Sequence, residues 1–127
     1  AVVQPRPRRT RTSHPPTTSA DRRHTYLFPT ARRRMADLQK KTDQYESLLA
    51  EAVAAADPAP PADTPLADAA GDCTEMARSY LEDGRHFRAE GDDVTALAAF
   101  SYGHAWLDAG ARIGLLDVPR EGHLFTI

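Results

Sequence analysis

Two pairs of residues combine metal-ligand chemistry with helical spacing. Asp83 and His86 stand three residues apart, and His104 and Asp108 stand four apart. At either spacing a carboxylate and an imidazole share one face of a helix, as ligands in helical-bundle metal centres do. Antiparallel packing of the two helices would bring the pairs together and offer four ligands to a divalent cation. The structural alternative is preferred: a His–Asp pair that fixes helix register, or polar side chains facing water. Asp83, His86, His104 and Asp108 stand as the candidate ligands of a metal-dependent enzyme, and no metal is assigned to them.

The other chemistry-bearing residues fall short of a catalytic set. Cys73 as a nucleophile would need a base and a polarised, accessible setting. It lies instead on an apolar stripe with Met76 and Tyr80, as a small core residue does. Small helical ribonucleases that use an Arg followed a turn or more later by His fit no better. Arg78 and His86 have seven residues between them, and Arg120 and His123 have two. Arg9 and His14 are suitably spaced only in a segment that cannot position them. No glycine-rich phosphate loop is present, since Gly103 and Gly110 fall in or near a helical pattern and Gly91 in a turn. Neither enzymatic activity nor a cofactor is expected. Tyr80, Phe87, Tyr102 and Trp106 read as core or interface anchors rather than as a ligand cage.

These residues sit on a chain whose apolar positions repeat with helical period. Leu38, Thr42, Tyr45, Leu49, Ala52 and Ala56 recur in alternating steps, and Asp57-Pro58 stops the run because proline disfavours helix at the residue before it. Pro58 to Pro65 reads as a stiff linker. A second helix, beginning between Leu66 and Asp72, carries Cys73, Met76, Ala77, Tyr80, Leu81, Gly84 and Phe87 at helical spacing. Glu90-Gly91-Asp92-Asp93 reads as a glycine stop followed by an aspartate N-cap. The third helix runs from about Asp93 to Ile113, with Leu97, Phe100, His104, Leu107 and Ala111 on one side. Ala96, Ala99, Gly103, Trp106 and Gly110 line a neighbouring side, where small residues permit close approach. So short a turn makes the second and third helices antiparallel. The expected fold is all-α, a small three-helix bundle dominated by that helix–turn–helix hairpin. Leu115 to Ile127 is apolar enough to dock at a place that the sequence does not specify.

The 127 residues leave room for one domain. A net charge of −2 conceals a division: nine Arg and one Asp through Arg34, then two Lys, five Arg and seventeen Asp plus Glu from Met35 onward. Residues 35–127 are read as the folded domain. Residues 1–34, rich in Pro, Thr, Ser and Arg and without periodicity, are read as a disordered basic tail, because such a chain buries too little to offset its ordering entropy. Met35 is expected to be the true start, with the preceding residues a translation of upstream DNA. His24 to Phe28 is encodable by an A/T-rich run like an archaeal promoter box, and Tyr26 lies nine codons before Met35. The rival is an arginine-rich nucleic-acid arm, which lacks Lys and stacked aromatics. Abundant carboxylate with only two lysines keeps a protein hydrated in salt and points to a halophilic archaeal cytoplasm. The lone Cys73 suits a reducing compartment, and no apolar run reaches the roughly 20 residues of a membrane helix.

The stretch from Met76 to Phe87, then Gly91 to Gly110, resembles the archaeal domain of unknown function 357 family. The run Tyr102-Gly-His-Ala-Trp-Leu-Asp-Ala-Gly110 is its most specific piece. The resemblance spans about Met35 to Val118 and implies a small helical bundle of archaeal distribution with no assigned biochemical role. The same stretch is similar to a single tetratricopeptide unit, but no second copy follows, and solenoids need about three. The expected function is a non-enzymatic helical module that binds a protein partner or itself as a homodimer. A nucleic-acid-associated accessory protein is the alternative, followed by the metal-dependent enzyme.

Overall fold

In the computed structural model the backbone is described for residues 19–127 and the side chains for residues 30–127. The chain divides into two units, Ala1–Arg33 and Arg34–Ile127. In chain order the elements are helix α1 (Ser19–Ala55), strand β1 (Asp57–Pro58), helix α2 (Pro65–Ala89), helix α3 (Asp93–Arg112) and strand β2 (Leu116–Asp117).

The α1 helix begins upstream of the Met35 expected from the stripe of apolar residues. Ala31 to Met35 are strong helix formers, and extending an existing helix adds a hydrogen bond per residue without repeating the cost of nucleation. The disordered basic tail, and the rival nucleic-acid arm, are expected from the sequence over residues 1–34; residues 19–34 are instead helical, as the first part of α1, and residues 1–18 lie outside the described residues.

From Leu38 onward the stripe is the buried face. Thr42, Leu49 and Ala52 are fully buried, Ala56 nearly so, and Leu38 and Tyr45 are half-buried. Thr42 satisfies its hydroxyl by donating to the Leu38 carbonyl at 2.7 Å. The α2 helix starts at Pro65, the end of the expected linker, because Thr64 caps it by accepting from the Ala67 N–H at 3.2 Å. Proline at the first helical position gives up an N–H that has no intrahelical partner there. Asp92 caps α3 in the same way, accepting from the Thr95 N–H at 3.1 Å. The Thr95 hydroxyl first, and its N–H second, hold the Asp92 carboxyl below the usual aspartate range.

The two helices of the hairpin end alike. Gly91 (φ 81°) and Gly114 (φ 84°) adopt the left-handed conformation that closes a helix. Asp92 N–H then donates to Phe87 and Leu115 N–H to Gly110, each at 2.9 Å, satisfying carbonyls that would otherwise be orphaned. The second of these turns delivers Leu116 to β2, which pairs antiparallel with β1 in the register Asp57↔Asp117 and Pro58↔Leu116. The exits of α1 and α3 are thereby tied together.

The core is built from bulky residues seated on glycines. Phe100 lies over Gly84, Leu49 over Gly103, and Leu116 over Gly110. Phe100, Leu49 and Leu107 are fully buried, as are Ala70, Ala77 and Ala96 where backbones approach closely. Burying each large side chain contributes roughly 2–3 kcal/mol.

Candidate functional site

The α3 helix presents three faces of different chemistry. Ala96, Phe100, Gly103, Leu107 and Gly110 form the core face. His104, Asp108 and Arg112 form a polar stripe, one residue per turn. Val94, Ala98, Tyr102, Ala105, Ala109 and Ile113 form a third face that is apolar and exposed. Only Thr95, in the first turn, interrupts that third face.

The polar stripe seats the segment that follows β2. His104 Nε2 lies 2.5 Å from the Leu124 carbonyl oxygen. A carbonyl only accepts, so this nitrogen carries the proton. Asp108 accepts twice from Thr126, from its N–H at 3.1 Å and from its hydroxyl at 2.9 Å. Arg112 donates to the Thr126 carbonyl at 2.8 Å. Donor, acceptor and donor thus alternate along the helix and match the main-chain groups of an extended strand. Between them Phe125 is buried in the core, its ring tilted against His104 at 6.1 Å between centroids. This is where the apolar C-terminal segment docks. Phe125 burial contributes roughly 2–3 kcal/mol and each hydrogen bond about 1 kcal/mol. Ordering each backbone residue costs about 1–2 kcal/mol, so the segment is held with little surplus.

The four metal-ligand candidates are not brought together. Asp83 and His86 are exposed on α2, and His86 pairs with Glu90 at 3.2 Å rather than with Asp83. His104 and Asp108 do face each other, at 3.8 Å, but both are engaged with the C-terminal segment. Among the described residues no three His, Cys, Asp or Glu side chains group in a way that could hold a metal ion. Cys73 is buried, which pushes its thiol pKa up, with the Asp72 charge adding to the effect.

The aromatic candidates are distributed over both helices of the hairpin. Tyr80 and Tyr102 meet edge to face at 4.8 Å between centroids, and Tyr102 is 57% exposed. Trp106 packs its inner side on the core and separates two surface hollows. One is lined by Tyr102, Ala105 and Ala109, the other by Met76, Ser79 and two acidic residues of α2. Phe87 is half-buried against the core, with the His86 ring set edge-on to it.

A further group joins α1, α2 and α3. Glu46 accepts from Arg85 at 2.9 Å and from Arg88 at 2.5 Å, and Arg88 also pairs with Asp43 and, at 3.8 Å, with Asp93. Partial burial raises the Glu46 pKa, but the two guanidinium partners outweigh it and hold the carboxyl below the usual glutamate range. The hydrogen bonds that Arg88 donates to Glu46 and Asp43 raise its own pKa in turn.

The model of the family described as "Protein of unknown function (DUF357)" matches residues 44–116. The chain belongs to the DUF357 family. No curated protein and no solved structure matches it. The DUF357 match takes in the aromatic face, the polar stripe and both arginines of the ion-pair group, and it ends at Leu116, before the segment the stripe holds. Sequence reasoning found His104 and Asp108 but missed Arg112 and Thr126. The available signal was three polar residues at one-turn spacing along the second half of α3. The Glu46–Arg85–Arg88 group left no comparable signal, because its members lie about forty positions apart in sequence.

Proposed function

We propose that this chain is a non-enzymatic interaction module whose exposed α3 face packs against a second copy of itself. The observation that carries this reading is the run Val94, Ala98, Tyr102, Ala105, Ala109 and Ile113, with Tyr102, Val94 and Ile113 between 57% and 70% exposed. A helix apolar on two faces ordinarily has partners on both. Large and small residues are interspersed along this face, so one copy's Tyr102 and Trp106 fit against the other's alanines in a two-fold arrangement. The face is about 30 Å long. With Met76 and Tyr80 beside it, it approaches the roughly 800 Å² per partner of a stable interface. A single small three-helix domain buries little on its own, which makes association a further source of stability. The acidic, lysine-poor composition of residues 35–127 supports a salt-rich archaeal setting for the module, where apolar contact outlasts ionic attraction.

Sedimentation in high salt tests the reading. A dimer is expected, and Tyr102→Asp weakens it by about 100-fold. A monomer at every concentration, unchanged by Tyr102→Asp, overturns it.

A further inference from the structure

The segment held by α3 has an unusual attachment. Among the described residues, no backbone–backbone hydrogen bond ties residues 118–127 to the rest of the molecule. Its polar contacts to α3 are made by three side chains, His104, Asp108 and Arg112. Three of these four hydrogen bonds engage main-chain groups, which any extended peptide carries. The Thr126 hydroxyl, the buried Phe125 ring and the half-buried Leu124 side chain read side-chain identity. Residues 119–123, which lead into the segment, are exposed and carry neither helix nor strand.

The seat is also larger than its occupant. A cavity of about 280 Å³ remains beside Leu124 and Thr126, walled by Tyr45 and Leu48 of α1 and by Ser101 and Ala105 of α3. A bulkier side chain at the Leu124 position would enter it.

We propose that the His104–Asp108–Arg112 stripe is a peptide-binding clasp, filled here by residues 124–126, that accepts an extended segment of another protein with the pattern apolar–aromatic–threonine. Recognition is mixed. The donor–acceptor–donor stripe reads the main chain, the Phe125 socket selects the aromatic ring, and Asp108 selects a hydroxyl at the next position. The chain's own segment competes for the seat, so an incoming peptide binds in proportion to the fraction of molecules in which the seat is open. This surface borders the exposed apolar face of α3 and shares Ala105 with it, but the hydrogen bonds to residues 124–126 do not depend on that face.

The test uses a fluorescent peptide copying residues 121–127, titrated into the full chain and followed by anisotropy. Phe125→Ala loosens the resident segment, and that chain should bind the peptide about tenfold more tightly than the parent does. Adding Asp108→Ala should remove the gain, as should replacing the peptide's threonine by proline. Should Phe125→Ala fail to fold, Thr126→Pro in the full chain opens the seat by deleting the N–H that Asp108 holds, and the same comparison applies. Equal binding to the parent chain and to a folded opened variant overturns the proposal. So does binding that is insensitive to Asp108→Ala.

Discussion

A Cβ atom on Gly84 would stand 2.2 Å from Cε1 of Phe100, so the α2 backbone and that ring occupy adjacent space with no methyl's width between them. Phe100 is fully buried, and this contact sets how closely the two arms of the hairpin approach.

Gly84→Ala should therefore destabilise the fold even though alanine is the better helix former. The propensity gain is about 1 kcal/mol, whereas forcing an atom into a filled core costs about 1–3 kcal/mol or more. A net loss of about 1–2 kcal/mol is expected in urea denaturation. A gain in stability would show that the ring moves aside freely.

Glu46→Gln should lower stability by about 1 kcal/mol at neutral pH, a modest figure because Arg85 is half exposed and water screens its charge. The folded pKa of Glu46 lies below its unfolded value, so its contribution is complete above pH about 4.3 and is lost as pH falls through the lowered folded pKa. The variant's acid-unfolding profile should be flatter across that window. Parallel profiles for the two proteins would count against a role for this carboxylate.

Asp108→Ala should free the C-terminal segment while leaving the bundle intact. Amide exchange at Thr126, whose N–H donates to Asp108, should speed up by about fivefold or more, the equivalent of about 1 kcal/mol. Amides in the middle of α2 should be unaffected. Uniform acceleration would mean instead that the segment is integral to global stability.

Cys73 should be nearly inert in the native state. Only 8% of it is exposed and its thiol pKa is raised, so little nucleophilic thiolate is presented. Reaction with an aromatic disulfide should be on the order of 100-fold slower than in denaturant. Comparable rates would show that α2 opens readily.

Much of the hairpin was legible because local chemistry specifies it. The Gly91–Asp92 pair marked both the end of α2 and the cap of α3, and each residue, Gly91 by its backbone and Asp92 by its side chain, acts within a turn of its own position. The start of α2 was less legible. Thr64-Pro65 is a capping signal embedded in a proline-rich run, where the prolines read as linker. The candidate site was half legible: His104 and Asp108 were found, but their spacing on one helix was equally compatible with a metal and with a peptide. What distinguishes the two is the presence of Thr126, eighteen residues beyond Asp108.

The sequence by itself determined that residues beyond Met35 form helices, where the hairpin turns, and which stripes face inward, because periodicity, caps and glycine stops are local properties of the chain. Tertiary structure alone decided which bulky side chain rests on which glycine, that two arginines of α2 share one carboxylate of α1, and that the polar stripe of α3 holds a strand of peptide. Those outcomes depend on the angle and depth at which separate elements pack, and packing is a joint property of surfaces far apart in the chain.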